Sequence, residues 1–237
     1  MTTKVRYLGT YAGFLWAVLE PLIAFVILYI VFSTMRGNTD PNYPIYLLIG
    51  VLFFQIFSRG TLNGLTSLRG NAGVLKSINI SKEFFPVVSA GSTGIVMIVQ
   101  ILVFFALMPV FNYIPPVTVI LLIIPLIMLL ILVLGLTYIL SILFVFIKDI
   151  QNGWSIFSYA LFFVSPIFWH VDEIDGILLN IQQINPLGQI MEIAHKVVFG
   201  EIPPIGDWLY SAFLVSVIFF VGYFIFHKLE NKIVEEL

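Results

Sequence analysis

The run Val117-Thr-Val-Ile-Leu-Leu-Ile-Ile-Pro-Leu-Ile-Met-Leu-Leu-Ile-Leu-Val-Leu-Gly-Leu-Thr-Tyr-Ile-Leu-Ser-Ile-Leu-Phe-Val-Phe-Ile147 carries no charged side chain. A bilayer core about 30 Å thick is crossed by roughly 20 apolar residues in a helix, so this stretch is long enough to cross at a tilt or to project beyond the lipid. Backbone amides and carbonyls find no partners in hydrocarbon, so such a run must close its hydrogen bonds within itself, as a helix does. The composition of the whole chain agrees. Of 237 residues, 60% are hydrophobic and 10% charged, with a mean hydropathy of +1.06. Soluble domains average about 45–50% apolar and about 25% charged residues. The excess is too large for one buried core, and it excludes both a water-soluble globular enzyme and a disordered chain. With no Cys there are no disulfides, thiolate metal centres or Cys nucleophiles. The net charge of −2 gives no reason to expect nucleic acid as a partner.

Working outward from that run, five more apolar stretches follow the same logic. The expected fold is an all-α integral membrane protein, a single transmembrane domain over 1–237. Its six transmembrane helices are expected at about 11–33, 43–64, 87–111, 117–147, 152–169 and 208–227. An even number of spans puts both termini on one side. That side holds Lys4, Arg6, Arg59, Arg69, Lys76, Lys82, Lys148, Lys228 and Lys232, whereas the other holds Arg36 and Lys196. Cytoplasmic loops carry the excess of Lys and Arg, so both termini are expected in the cytoplasm and the protein in the cytoplasmic membrane. The acidic residues Asp40, Asp172, Glu173, Asp175, Glu192, Glu201 and Asp207 lean the other way. The first run is longer than a signal-peptide core and no A-x-A site follows it, so it reads as a true span.

Two segments between spans are long enough to be structured. On the cytoplasmic side, Leu75, Ile78 and Phe85 would cover one side of a short amphipathic piece, with Lys76, Lys82 and Glu83 facing water. Ser81 is placed to cap a short turn, and Pro86 starts or bends the third span. This segment suits either a connector on anionic lipid headgroups or a docking element for a soluble partner. On the external side, Leu187, Ile190, Met191, Ala194, Val197 and Val198 recur at helical spacing. Asn185-Pro186 precedes that helix and Gly200 with Pro203-Pro204 ends it, with a further short helix expected over 176–184. The pair would either narrow an exit or rest on the membrane surface.

Within the spans, the fifth carries Gln151, Trp154, Ser155, Ser158, Phe162, Ser165 and Trp169 within roughly one third of the helix circumference. A stripe of hydroxyls and aromatics is a poor lipid face. It suits a polar passage, where rings stack on sugars and hydroxyls bond to them, or helix packing. Glu20 lies inside the first span, with Trp16 within about 40° of it on the helix. A charge at mid-bilayer costs about 2.5–3.5 kcal/mol, so Glu20 belongs at a channel mouth, at a dimer seam, or beside a Lys or Arg. Arg59 reads as an interface anchor.

Several motifs together resemble a known family. Gly13-Phe-Leu-Trp-Ala-Val-Leu-Glu-Pro-Leu22 is similar to the opening of permease subunits of type-2 ABC exporters, in the branch that exports O-antigen and teichoic acid. Leu75-Lys-Ser-Ile-Asn-Ile-Ser-Lys-Glu-Phe-Phe-Pro86 resembles that family's first cytoplasmic loop. Lys148-Asp149, Ser165-Pro-Ile-Phe-Trp169, Asn185-Pro186 and Phe199-Gly200 follow in the family's order. The loop has Asn79-Ile-Ser81 where the family often has an aromatic and a Pro, and His195-Lys196 near its usual external Arg.

The resemblance implies a homodimer of permeases bound to two copies of a separate ABC ATPase, exporting a lipid-linked polysaccharide. ATP and Mg would be held by the partner, with no cofactor in this chain. A coupling helix between spans 2 and 3 would comprise Leu75, Lys76, Ile78, Asn79, Lys82, Glu83 and Phe84. Trp16, Glu20, Trp154, Ser158, Phe162, Ser165 and Trp169 would line the channel. Short re-entrant external helices between spans 5 and 6 would form a gate with Asn185, Pro186, Ile190 and Lys196.

The residues speak independently against an energy-converting or catalytic centre. No G-x-x-x-x-G-K-[ST] loop occurs, and no Gly-Lys pair at all. His170, His195 and His227 show no metal-binding spacing, and intramembrane acids are nearly confined to Glu20. Exporters of a drug, lipid or peptide remain the alternative cargo reading. A membrane enzyme would need a cluster of carboxylates or His, and a secondary transporter would show paired repeats.

Overall fold

A computed structural model describes residues 11–36, 40–77 and 80–233, all of the regular structure in them helical. In chain order the helices are α1 (Tyr11–Arg36), α2 (Tyr43–Thr66), α3 (Ala72–Ser77), α4 (Phe84–Leu107), α5 (Ile123–Phe146), α6 (Ile150–Val164), α7 (Gly176–Ile184), α8 (Pro186–Val198) and α9 (Ile205–Leu229). A helix of 24 residues, the length of α2, α4 and α5, rises about 36 Å and exceeds the hydrocarbon core. Among the described residues, four helical segments are long and apolar enough to cross a membrane: Tyr43–Thr66, Phe84–Phe111, Val117–Phe146 and Ile205–Lys232. In α1 the described apolar stretch is the shorter Val18–Thr34. Of the residues singled out above, Lys4, Arg6, Ile78 and Asn79 lie outside the described ones.

The expected fifth span over 152–169 is corrected. Its helix, α6, has 15 residues and stops at Val164. Helical geometry is disfavoured for the residue before a proline, and Ser165, before Pro166, takes an extended ψ of 149°. Ser165, Pro166, Ile167 and Trp169 are buried, so the carbonyls of this unwound segment must find partners inside the protein. Helix α2 supplies them. Tyr43 Oη donates to the carbonyl of Phe168 at 3.0 Å, and Tyr46 Oη to that of Trp169 at 2.8 Å. Trp169 Nε1 donates to the carbonyl of Phe163 at 3.2 Å. The segment runs so close to α2 that a Cβ at Gly50 would lie 3.0 Å from Ile167 Cα. The far end of α1 packs on it as well, with Phe32 stacked on Phe168 at 4.6 Å.

Most of α2 is buried, which makes it the central post of the bundle. Its core partners are Met97, Ile101 and Phe104 of α4, Leu129, Leu132 and Val133 of α5, and the apolar face of α8. On the far side of α5, α9 packs backbone to backbone. A Cβ at Gly222 would collide with the carbonyl oxygen of Gly135, and one at Gly135 would lie 2.7 Å from Phe219 Cα. Such close approach fixes α5 and α9 as one body.

Chain direction alternates, so the described charges separate. The basic end gathers the α2–α4 loop, the start of α6 and the end of α9, with Arg69, Lys76, Lys82, Lys148, Lys228 and Lys232. The acidic end gathers α7, α8 and the start of α9. At the basic end a second apolar cluster forms from Leu68, Leu75, Phe85, Tyr138, Ile142, Val145, Phe226 and Ile233.

Candidate functional site

Three groups of side chains stand out, beginning with the loop between α2 and α4. Leu75 of α3 is 7% exposed and is seated, with Phe85, in the basic-end cluster. Val74, Lys76, Ile80 and Phe84 point outward. Leu75 and Phe85 inward and Lys76 outward follow the expected sides, whereas Lys82 and Glu83, expected to face water, are half-buried. Glu83 is held by two partners. Its Oε1 accepts a hydrogen bond from Tyr138 Oη at 2.7 Å, and its Oε2 lies 3.5 Å from His227 Nε2. Arg69, at the other end of the loop, donates from a guanidinium nitrogen to the carbonyl of Phe144 at 3.2 Å and lies over that ring. Lys82 is half-buried. The turn before α4 is closed by main chain, Phe84 N–H donating to the carbonyl of Ser81 at 3.1 Å. Pro86 falls in the first turn of α4, where its missing N–H costs nothing.

The second group joins α1 and α6 to α2. Glu20 of α1 forms an ion pair with Arg59 of α2, so the carboxylate inside the first span has a cationic neighbour while its side chain stays exposed on the outside of the chain. Trp16, one turn earlier, is 55% exposed. On α6 the aromatic and hydroxyl stripe faces protein. Trp154 Nε1 donates to Thr61 Oγ1 at 2.9 Å, Phe162 meets Phe54 edge-on at 5.0 Å, and Ser158 is buried. Ile156, Tyr159 and Phe163 are on the exposed side. Ser165 and Trp169 do not continue the helical stripe, because the helix has ended before Pro166. Within one chain the stripe meets α2 and not an open passage.

The third group is the helical pair α7–α8, at the boundaries expected from sequence. Asn185 caps α8: its Oδ1 accepts from Leu187 N–H at 3.1 Å, while its Nδ2 donates to Ser165 Oγ at 3.0 Å. Pro186 occupies the first helical position. Ile190 and the rest of the apolar face are buried in the bundle, so α8 packs into protein instead of resting on a surface. Its last carbonyls are bonded from the segment between α4 and α5. Thr118 Oγ1 donates to Val197 and Tyr113 Oη to Val198, both at 2.7 Å. Gly200, at φ +91°, turns the chain out of the helix. Lys196 reaches Glu192 at 2.8 Å and Asp207 at 3.1 Å. Partial burial lowers its pKa, but the two carboxylates outweigh this and hold it above the ordinary lysine value.

In the sequence His195 is one of three unclustered histidines and the neighbour of Lys196, with no local signature of its own. It is buried, and its ring stacks on Tyr46 at 3.7 Å and 10°. His170 contacts Tyr46 as well, at 4.0 Å. His195 Nε2 lies 3.0 Å from the carbonyl of Tyr46, which only accepts, so Nε2 carries a hydrogen. Burial pushes its pKa down to about 3, against the opposing pull of that carbonyl. Among the described residues no group of three His, Cys, Asp or Glu is placed to hold a metal ion.

The arrangement is that of a helical membrane device with a tethered loop at one end and an interlocked helical pair at the other. Comparison with known proteins accords with this. Two proteins of Klebsiella pneumoniae, each described as O-antigen export system permease protein RfbA, are 27% identical to this chain, with 99% of this chain and 91% of the relative covered. A protein of the same description from Myxococcus xanthus is 22% identical, with 91% of this chain and 84% of the relative covered. A model of the ABC-2 type transporter family matches residues 2–199, so this multi-pass membrane protein belongs to the ABC-2 type transporter family.

Proposed function

We propose that this chain is the membrane-spanning permease subunit of an ATP-driven exporter. It crosses the cytoplasmic membrane six times with both termini inside, works as a homodimer with two copies of a separate ATPase, and exports a lipid-linked polysaccharide. The observation that carries this reading is the near full-length similarity to relatives described as O-antigen export permeases. The chain has no P-loop, so ATP and Mg are assigned to the partner and this subunit is not itself an enzyme. The α2–α4 loop supports the assignment of the ATPase contact. It sits at the basic end, anchored by Leu75, with Lys76 and Phe84 outward. In this reading Ile78, Asn79 and Lys82 belong to the same contact.

The passage is assigned to the space between two copies. Within one chain Trp154, Ser158, Phe162, Ser165 and Trp169 are taken up in packing, while Trp16 and Glu20 on α1 stay accessible to a second copy. Asn185, Pro186, Ile190 and Lys196 build the wall at the exit. The test is reconstitution of the chain with its candidate ATPase in vesicles carrying a lipid-linked polysaccharide. Export that requires ATP and both subunits is the expected result. Export without the ATPase, or hydrolysis stimulated by a drug or phospholipid but not by the glycolipid, would overturn it.

A further inference from the structure

Three side chains of the loop between α2 and α4 tie it to helices far from it in sequence. Arg69 bonds the Phe144 carbonyl of α5. Leu75 sits among Tyr138, Ile142 and Val145 of α5 and Phe226 of α9. Glu83, where the loop turns into α4, holds Tyr138 of α5 with one oxygen and faces His227 of α9 with the other. His227 Nδ1 lies 3.1 Å from the carbonyl of Tyr223, which fixes the imidazole edge toward Glu83. Nδ1 donates to that carbonyl, so Nε2 offers a second N–H to the carboxylate only as the imidazolium, the form in which the contact is a charge-assisted pair. Because Gly135 and Gly222 bring α5 and α9 into backbone contact, one carboxylate grips both members of a single rigid body.

We propose that Glu83 is a positioning residue which, through Tyr138 and His227, delivers movement of the loop to the α5–α9 pair. The proposal rests on the reading of that loop as the ATPase contact, and it names the helices that receive the motion. Arg69 and Leu75 hold the loop in place. Glu83 is the polar tie that joins α4, α5 and α9 at one point, so its loss leaves the loop seated by apolar packing but without that link.

The experiment measures polysaccharide exported per ATP hydrolysed by the reconstituted permease–ATPase complex. With Glu83→Ala the complex assembles and still hydrolyses ATP. Export per ATP falls by about twofold to thirtyfold, the range seen when one member of a coupling network is changed. Adding Tyr138→Phe to Glu83→Ala lowers the yield no further, because the two act through one contact. Glu83→Gln, which keeps an acceptor for Tyr138 but loses the charge facing His227, preserves the fold and gives an intermediate loss. An unchanged yield per ATP in an assembled Glu83→Ala complex would overturn the proposal. So would hydrolysis and export falling in parallel, or a full additional loss from Tyr138→Phe. If the wild-type pair shows no ATP-dependent export, the functional reading itself fails and this proposal falls with it.

Discussion

Protonation of His195 should loosen the acidic end of the bundle, and the size of the effect follows from its burial. In an unfolded or locally opened chain the imidazole titrates near 6.5. In the folded protein burial holds it neutral down to about 3. Above pH 6.5 the residue is uncharged in both states and contributes no pH dependence. Between 6.5 and 3 the opened state binds a proton that the folded state refuses, so stability falls as the pH falls, by about 1.4 kcal/mol per unit. At pH 5 the loss is about 1.5 units, or about 2 kcal/mol, equivalent to a roughly 30-fold larger opened population. The assay is amide hydrogen exchange across α8 between pH 7.5 and 5, corrected for intrinsic rates, in the wild type and in His195→Gln. Glutamine can donate to the Tyr46 carbonyl and does not titrate. Lys196, Glu192, Asp207 and His170 are present in both proteins, so the comparison isolates the change at position 195. Equal pH dependence of α8 opening in the two proteins would refute the reasoning.

Three further outcomes are expected. Tyr46→Phe keeps the ring against His195 but leaves the buried Trp169 carbonyl without its donor, at a cost of about 1–3 kcal/mol in denaturant unfolding; unchanged stability would remove that hydroxyl from the role given to it. Gly222→Leu drives a side chain into the Gly135 carbonyl and should prevent recovery of folded, monodisperse protein from detergent, whereas Gly91→Leu, with nothing within 4 Å of its Cβ, should purify normally; equal recovery of both would contradict the α5–α9 contact. Lys76→Ala with Lys82→Ala should weaken ATPase binding in pull-down while the chain still inserts, and undiminished binding would move the docking surface elsewhere on the basic end.

The fold was legible where it depends on local pattern. Length and hydropathy alone place the long helices within a few residues of their observed ends, because in lipid every apolar run must satisfy its own backbone. The boundaries of α7 and α8 were legible for a similar reason: Asn185-Pro186 is a helix start and Gly200 a stop, whatever surrounds them. Hydropathy failed at α6. It counted Ser165–Trp169 as part of a span because those residues are apolar, while the signal that ends the helix is a single proline. That stretch can be both irregular and buried only because two tyrosines 123 and 125 residues away in sequence supply its donors.

The candidate site divides the same way, and the division has a physical cause. Periodicity states which side of a helix is unlike the rest, but not what lies against it. Glu83 looked like a solvated charge because its neighbours in sequence are Lys82 and a turn, and its partner Tyr138 lies 55 residues away on α5. His195 looked incidental because an isolated histidine has no local signature, yet its surroundings are built by Tyr46 on α2. Glu20 shows what can be inferred. A carboxylate within an apolar run is costly, so Glu20 is expected at a channel mouth, at a dimer seam or beside a basic residue, and within one chain its neighbour is Arg59. The polar groups that an apolar helix cannot satisfy by itself are therefore the ones whose distant partners are worth seeking. In this chain those partners are what tie the unwound segment to α2, α8 to the α4–α5 connection, and the α2–α4 loop to α5 and α9.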